Sequence, residues 1–267
     1  MTKINSIYEP VIALAKEAGA LQKARYRKTG LMVETKSTAV DLVTEVDLAC
    51  DALIVQRLKQ LFPDDRILSE EQGIQPHDTD NHSEFQWIID PLDGTTNFSV
   101  GHPIFAVSIA RWKNDLPEFG VVYVPMLDEL YVAERGRGAY WNEQPLKCST
   151  ESLLNRSVLA TGFPYDRATA ENNNAENARV MIPLVKGIRR LGAAAYDLCL
   201  VAAGVYDAYW ELRLAKWDLA AGRLMIEEAG GTFWCSEEEG KYNVITGSKA
   251  ICDQLHLLVD MRNSKGK

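Results

Sequence analysis

Apolar side chains recur at helical spacing through Val46, Ala49, Cys50, Leu53, Ile54, Leu58 and Leu61, directly after Thr44. That pattern predicts an amphipathic helix with Thr44 at its N-cap and Asp47 at the N3 position of a capping box. A second helix is predicted from Ser6 to Tyr26. A third runs from Trp217-Asp218 to a stop at Gly230-Gly231, with Leu219, Ala220, Leu224, Met225 and Ala229 on its apolar side. Apolar runs of strand length stand at Ile67-Leu68, Trp87 to Ile89, Phe119 to Val124, Glu129 to Ala133 and Gly187 to Leu191. Two of them end at acids: the first runs through Ser69 into Glu70 and Glu71, the second into Asp90. Pro91 follows, and its missing N–H is expected to stop the ladder right after Asp90.

The stretch Asp90-Pro91-Leu92-Asp93-Gly94-Thr95-Thr96-Asn97-Phe98 therefore places two carboxylates and two hydroxyls where a buried strand turns. Asp90, Asp93 and the carbonyl of Leu92 form a set of hard oxygen ligands without His or Cys, which suits Mg²⁺ rather than Zn²⁺. Gly94, Thr95 and Thr96 can present N–H groups and hydroxyls at the start of a short helix or nest, a setting that attracts phosphate. An Asp-Gly turn on its own is common, but it leaves the second acid and both hydroxyls unused. A loop of the Asp-x-Asp-x-Thr kind, whose first Asp attacks phosphorus, is excluded because that position is Pro91. Taken alone, Glu70-Glu71 reads as a solvated pair and Asp47 as a helix cap. Parallel strand ends would bring Glu70 beside Asp90. Gly192-Ala193-Ala194-Ala195 offers small residues at a helix start, where tight packing is the ordinary reason for them. Lys36 and Glu211 pass by composition for exposed charges.

The Asp90 to Phe98 stretch resembles the signature of the inositol monophosphatase family of Mg²⁺-dependent, lithium-sensitive phosphatases. Asp41 to Asp47, Ile67 to Glu71 and Trp217 to Gly222 with Gly230-Gly231 resemble further motifs of that family in the same order. The resemblance implies an α/β fold, a layered αβαβα sandwich of the inositol monophosphatase and fructose-1,6-bisphosphatase type. It implies two or three Mg²⁺ ions: one held by Glu70, Asp90 and the Leu92 carbonyl, a second by Asp90, Asp93 and Asp218, and a weaker one near Asp47. By the same resemblance Glu70 and Thr95 position the attacking water, Glu71 stands beside the outer metal, and Lys36 lies on a loop reaching over the site. Substrate contacts are implied for Asp93, Gly94, Thr95, Thr96, Gly192, Ala194, Glu211 and Asp218. The implied activity is hydrolysis of myo-inositol monophosphates by a homodimer. Fructose 1,6-bisphosphate, 3'-phosphoadenosine 5'-phosphate, histidinol phosphate and a non-catalytic regulatory role are the alternatives.

With 267 residues, 46% of them apolar, the chain can bury a large core, and a single domain is expected with a soft division near residue 150 into an α+β half and an α/β half. Asn172-Asn173-Asn174 reads as an exposed loop beyond that division. A net charge of −8 and a pI near 5.2 argue against a general nucleic-acid binder, while the resemblance implies a small phosphate ester as the partner. The five cysteines are widely spaced, and His77, His82, His102 and His256 are scattered, so neither a disulfide framework nor a zinc site is expected. No signal peptide or membrane span is expected either, which with reduced thiols points to the cytoplasm.

Overall fold

A computed structural model describes residues 4–74 and 83–260, so His77 and His82 lie outside the described residues. After a 3-10 turn at Ser6–Tyr8, α1 (Glu9–Arg25) leads into the hairpin β1 (Val33–Thr35) and β2 (Leu42–Thr44), then α2 (Glu45–Leu61). The expected Ser6 to Tyr26 helix thus divides, and Pro10 sits at the start of the α-helical part, where its missing N–H costs nothing. Thr44 caps α2 as predicted, with Asp47 returning a bond to the Thr44 N–H at 2.9 Å.

The first sheet contains β3 (Arg66–Ser69), β4 (Gly73–Ile74), β5 (Phe85–Asp93), β6 (Ala106–Lys113), β7 (Leu116–Val124), β8 (Glu129–Glu134), β9 (Gly138–Trp141) and β10 (Gln144–Pro145), in the order β10-β9-β8-β7-β6-β5-β3-β4. The short α3 (Thr95–Ser99) follows β5. The second sheet, ordered β12-β11-β13-β15-β14, contains β11 (Val158–Thr161), β12 (Gly187–Arg189), β13 (Ala208–Leu214), β14 (Thr232–Glu238) and β15 (Lys241–Gly247). Between and after these strands come α4 (Ala175–Met181), α5 (Ala194–Ala202), α6 (Lys216–Glu228) and α7 (Lys249–Leu258). The alternation of strand and helix expected for this part gives way at its end to the antiparallel pair β14–β15.

Five layers result. α1 and α2 pack on one face of the first sheet, α5 and α6 lie between the two sheets, and α4 and α7 cover the far face of the second. Each gap has its own apolar core. Trp87, Phe98, Phe105 and Phe119 fill the first, alanines of α5 and α6 with Leu198 and Leu224 the second, and Trp210, Ile245 and Ile251 the third. The α/β sandwich is the expected fold.

Two expectations fail. Pro91 does not end β5: Asp90 faces Ser108 and Asp93 faces Ala106, so Pro91 and Leu92 together oppose Val107 and the ladder resumes. This is a β-bulge, which takes up the proline without an N–H partner and swings the strand end. Asn174, expected in an exposed loop, is fully buried. Its side chain accepts from the Trp210 indole at 2.8 Å and donates to the Gly162 carbonyl at 2.6 Å, tying the loop to β13.

Candidate active site

The site forms where β3 ends, with Ser69 opposite Ile89 of the parallel strand β5, which runs on through its bulge to Asp93. The Glu70 N–H donates to the Ile89 carbonyl at 3.1 Å, so Glu70, just past the end of β3, stands level with Asp90 in β5. The bulge then sends Leu92 and Asp93 toward the same cavity, of about 180 Å³. Gly94 completes the turn with φ +93°, and a Cβ there would stand 3.0 Å from the Ile104 carbonyl and 3.3 Å from that of Gly192. That close approach brings the starts of α3 and α5 together. Asp93 accepts the Tyr196 N–H at 3.2 Å in the first turn of α5. Asp218, in the first turn of α6, accepts the Ala215 N–H at 2.7 Å.

Glu70, Asp90, Leu92, Asp93, Gly94, Thr95, Thr96, Gly192, Ala194, Glu211, Asp218 and Lys36 all line this one cavity. Asp47 and Glu71 stand behind it. The Thr95 hydroxyl lies 2.8 Å from Asp47 Oδ1 and 3.1 Å from the Leu92 carbonyl, which makes Asp47 both a helix cap and the partner of Thr95. Lys36 Nζ reaches Glu70 at 2.9 Å and Glu71 at 2.6 Å. Glu211 accepts from the Tyr209 hydroxyl.

Burial raises these carboxyls and mutual repulsion raises them further. Glu70 is pushed up to about 7 by burial and then by Asp218 and Asp47, although Lys36 opposes the rise. Burial and Asp218 take Asp93 to about 8, burial and Glu211 take Asp218 to about 7, and Asp90 lies well above the usual carboxylate range. Among the described residues, no three His, Cys, Asp or Glu groups are gathered tightly enough to hold a metal ion as they stand. They line the cavity wall instead, with Glu70 taken by Lys36. The donor set still fits a hard cation, because buried like charges with oxygen donors alone are relieved by an ion such as Mg²⁺.

Some lining residues escaped the sequence reading: Asp197, Arg190, Tyr165 and Lys241. Asp197 is buried, and among the described residues its Oδ1 has no hydrogen-bond partner. A lone acid inside the apolar run Ala194–Ala202 was the available signal.

An acid-lined cavity at parallel strand ends, facing the start of a short Gly-Thr-Thr helix in an αβαβα sandwich, defines a phosphatase-type α/β protein. The chain matches the inositol monophosphatase family over residues 3–259 and belongs to it. It is 45% identical to the inositol-1-monophosphatase of Synechocystis sp., over 74% of this chain and 68% of that one. It is 38% identical to the Nus factor SuhB of Haemophilus influenzae, over 92% and 90% of the two chains. The crystal structure of the extragenic suppressor protein suhB of Bartonella henselae superposes with a TM-score of 0.85 at 35% identity, covering 98% of this chain and all of that one. Among the described residues no helix is long and apolar enough to cross a membrane.

Proposed function

We propose that this chain is a Mg²⁺-dependent phosphomonoesterase that hydrolyses myo-inositol monophosphates to inositol and phosphate. The carrying observation is the Thr95 to Asp47 contact of 2.8 Å at the edge of a cavity lined by Glu70, Asp90, Asp93 and Asp218. Glu70, Asp90 and the Leu92 carbonyl would hold one ion, and Asp90, Asp93 and Asp218 a second. Bound there, the ions would neutralise phosphoryl charge and acidify water. The Thr95 hydroxyl, donating to buried Asp47, keeps its lone pairs for a proton of the attacking water, and Glu70 orients that water from the other side. The first N–H groups of α3, at Thr95 and Thr96, have no partner within the helix and can receive phosphoryl oxygens. Glu211 and the Gly192 to Ala194 turn stand where the polyol hydroxyls would lie, and Asp218 stands on the leaving-group side.

Thr95→Ala is the direct test. It removes the hydroxyl but not the N–H, so kcat with inositol 1-phosphate and Mg²⁺ should fall by roughly 10² while KM changes little. A risen KM with an unchanged kcat would make Thr95 a binding group only. The Nus factor name of the Haemophilus influenzae relative supports a second reading, a non-catalytic regulatory chain. Absence of Mg²⁺-dependent phosphate release from every monoester tried would move the assignment there. We also read the chain as one domain, because the largest core draws residues from both sheets, and as a cytoplasmic homodimer with five free thiols.

A further inference from the structure

Asp51 lies on α2, 1% exposed and outside the cavity lining, so it touches neither a substrate nor an ion held there. A buried carboxylate needs hydrogen-bond donors, and Asp51 takes them from one short segment. Its Oδ1 accepts from the Ser69 hydroxyl, and its Oδ2 accepts from the side-chain amide of Gln72 at 2.6 Å. The Ser69 oxygen in turn accepts the Glu71 N–H at 3.3 Å. Ser69 is the last residue of β3, so Asp51 grips the chain on both sides of Glu70-Glu71. The Glu70 N–H is tied to the Ile89 carbonyl of β5. The backbone of Glu70 is thus held by α2 and by the sheet, and its side chain enters the cavity.

Asp47 stands four residues before Asp51, about one turn away on the same face of α2. It holds the Thr95 hydroxyl, while Asp51 holds the turn that carries Glu70. Thr95 and Glu70 are the two groups that face the attacking water in the reading above. One helix therefore anchors both. An acid that served only to dock α2 could take its donors from any neighbouring strand residue, whereas these two donors bracket Glu70-Glu71.

We infer that Asp51 is a positioning residue that aims the Glu70 carboxylate at its ion. The inference rests on Glu70 as a Mg²⁺ ligand and adds the residue that fixes its direction. Groups that hold a ligating carboxylate in place are typically worth about 10- to 100-fold in metal affinity or activity.

Calorimetric Mg²⁺ titration of the full chain after EDTA treatment, well below Tm, compares the wild type with Asp51→Ala, Asp51→Asn and Ser69→Ala. Each substitution is also placed in a Glu70→Gln background. Asp51→Ala should weaken Mg²⁺ at the Glu70 site at least about tenfold. Asp51→Asn keeps one acceptor oxygen and Ser69→Ala removes one donor, so both should fall between Asp51→Ala and the wild type. Ser69→Ala deletes a single oxygen atom, which keeps the test decisive if Asp51→Ala does not fold. In Glu70→Gln the same substitutions should change the remaining Mg²⁺ binding by less than about twofold, because they act through Glu70. Turnover of inositol 1-phosphate gives a second readout. The Mg²⁺ concentration for half-maximal rate should rise in parallel, while KM at saturating Mg²⁺ stays within about twofold.

Unchanged Mg²⁺ affinity in folded Asp51→Asn and Ser69→Ala proteins, with only Tm lowered, would overturn the inference and leave Asp51 a packing contact. Equal losses of affinity with and without Glu70 would overturn it too, as would a Glu70→Gln protein that binds Mg²⁺ like the wild type. A wild type that binds Mg²⁺ through Glu70 yet hydrolyses no ester fails the phosphatase reading alone, and the calorimetry still decides the role of Asp51.

Discussion

The side-chain amide of Gln22, fully buried in α1, donates a hydrogen bond of 2.8 Å to the carbonyl of Pro91 in the β5 bulge. The bulge removes Pro91 and Leu92 from the ladder with β6, so a helix from the outer layer holds the backbone between Asp90 and Asp93 from behind. Gln22→Leu should leave that carbonyl unpaired. Because Gln22 Oε1 itself has no partner among the described residues, the net loss should lie toward the lower end of the usual range, about 1 kcal/mol. Urea denaturation reads the stability, and the Mg²⁺ concentration for half-maximal turnover should rise in the same variant. An unchanged metal requirement would limit Gln22 to packing.

Asp90 is the acid that both proposed ions share, and burial together with Glu70, Asp93 and Asp218 raises it well above its ordinary range. Asp90→Asn should abolish turnover, whereas Asp47→Asn, which touches the cavity only through Thr95, should cost less. The same Asp90 variant should make the metal-free protein more stable by a few degrees in Tm at pH 8, since it removes a buried like charge. A loss of metal-free stability would mean that Asp90 supports the fold rather than a cation.

Local chemistry made much of this arrangement legible. Thr44 and Asp47 are three residues apart and cap one helix, and the run from apolar residues into Asp90 and Asp93 marks the acids that line the cavity, although not a turn at Asp90. What long-range contacts decide was not legible. Gln22 meets Pro91 across 69 positions, and Asn174 meets Trp210 across 36, so neither leaves a periodic trace. Pro91 misled because the rule against proline in a strand is really a rule about its N–H, and a bulge on β5 removes the need for one.

Chelation should make the protein sensitive to alkaline pH. Free carboxyls titrate near pH 4, whereas burial and neighbouring acids bring Glu70 and Asp218 to about 7 and Asp93 to about 8. A carboxyl raised in this way binds its proton more tightly folded than unfolded. Its contribution is complete below about pH 4 and is lost as pH climbs through 7 to 8. For Lys36 burial works in the opposite direction but Glu70 and Glu71 prevail, so its charge persists throughout that window. Thermal denaturation in EDTA should therefore give a Tm that falls between pH 5 and 8, and the increase in Tm on adding Mg²⁺ should grow over the same interval. A chelated protein that gains stability toward pH 8 would contradict the clustered acids.

Glu211 separates substrate recognition from metal binding, because it lines the cavity but lies outside the Asp90 to Asp93 turn and takes its hydrogen bond from Tyr209. If it accepts inositol hydroxyls, Glu211→Gln should weaken inositol 1-phosphate relative to glycerol 2-phosphate, which offers fewer hydroxyls. The expected size is that of a lost charged acceptor, about 1.5 to 3 kcal/mol in kcat/KM. The Mg²⁺ concentration dependence should be unchanged, since no proposed ion touches this residue. Burial raises the Glu211 carboxyl to about 7, so the wild-type preference for inositol 1-phosphate should strengthen from pH 6 to pH 8 as the carboxylate forms, while Glu211→Gln should show no such trend. Equal losses on the two esters, with a flat pH dependence in the wild type, would place Glu211 in support of the β13 strand end and leave the polyol to be recognised elsewhere on the cavity wall.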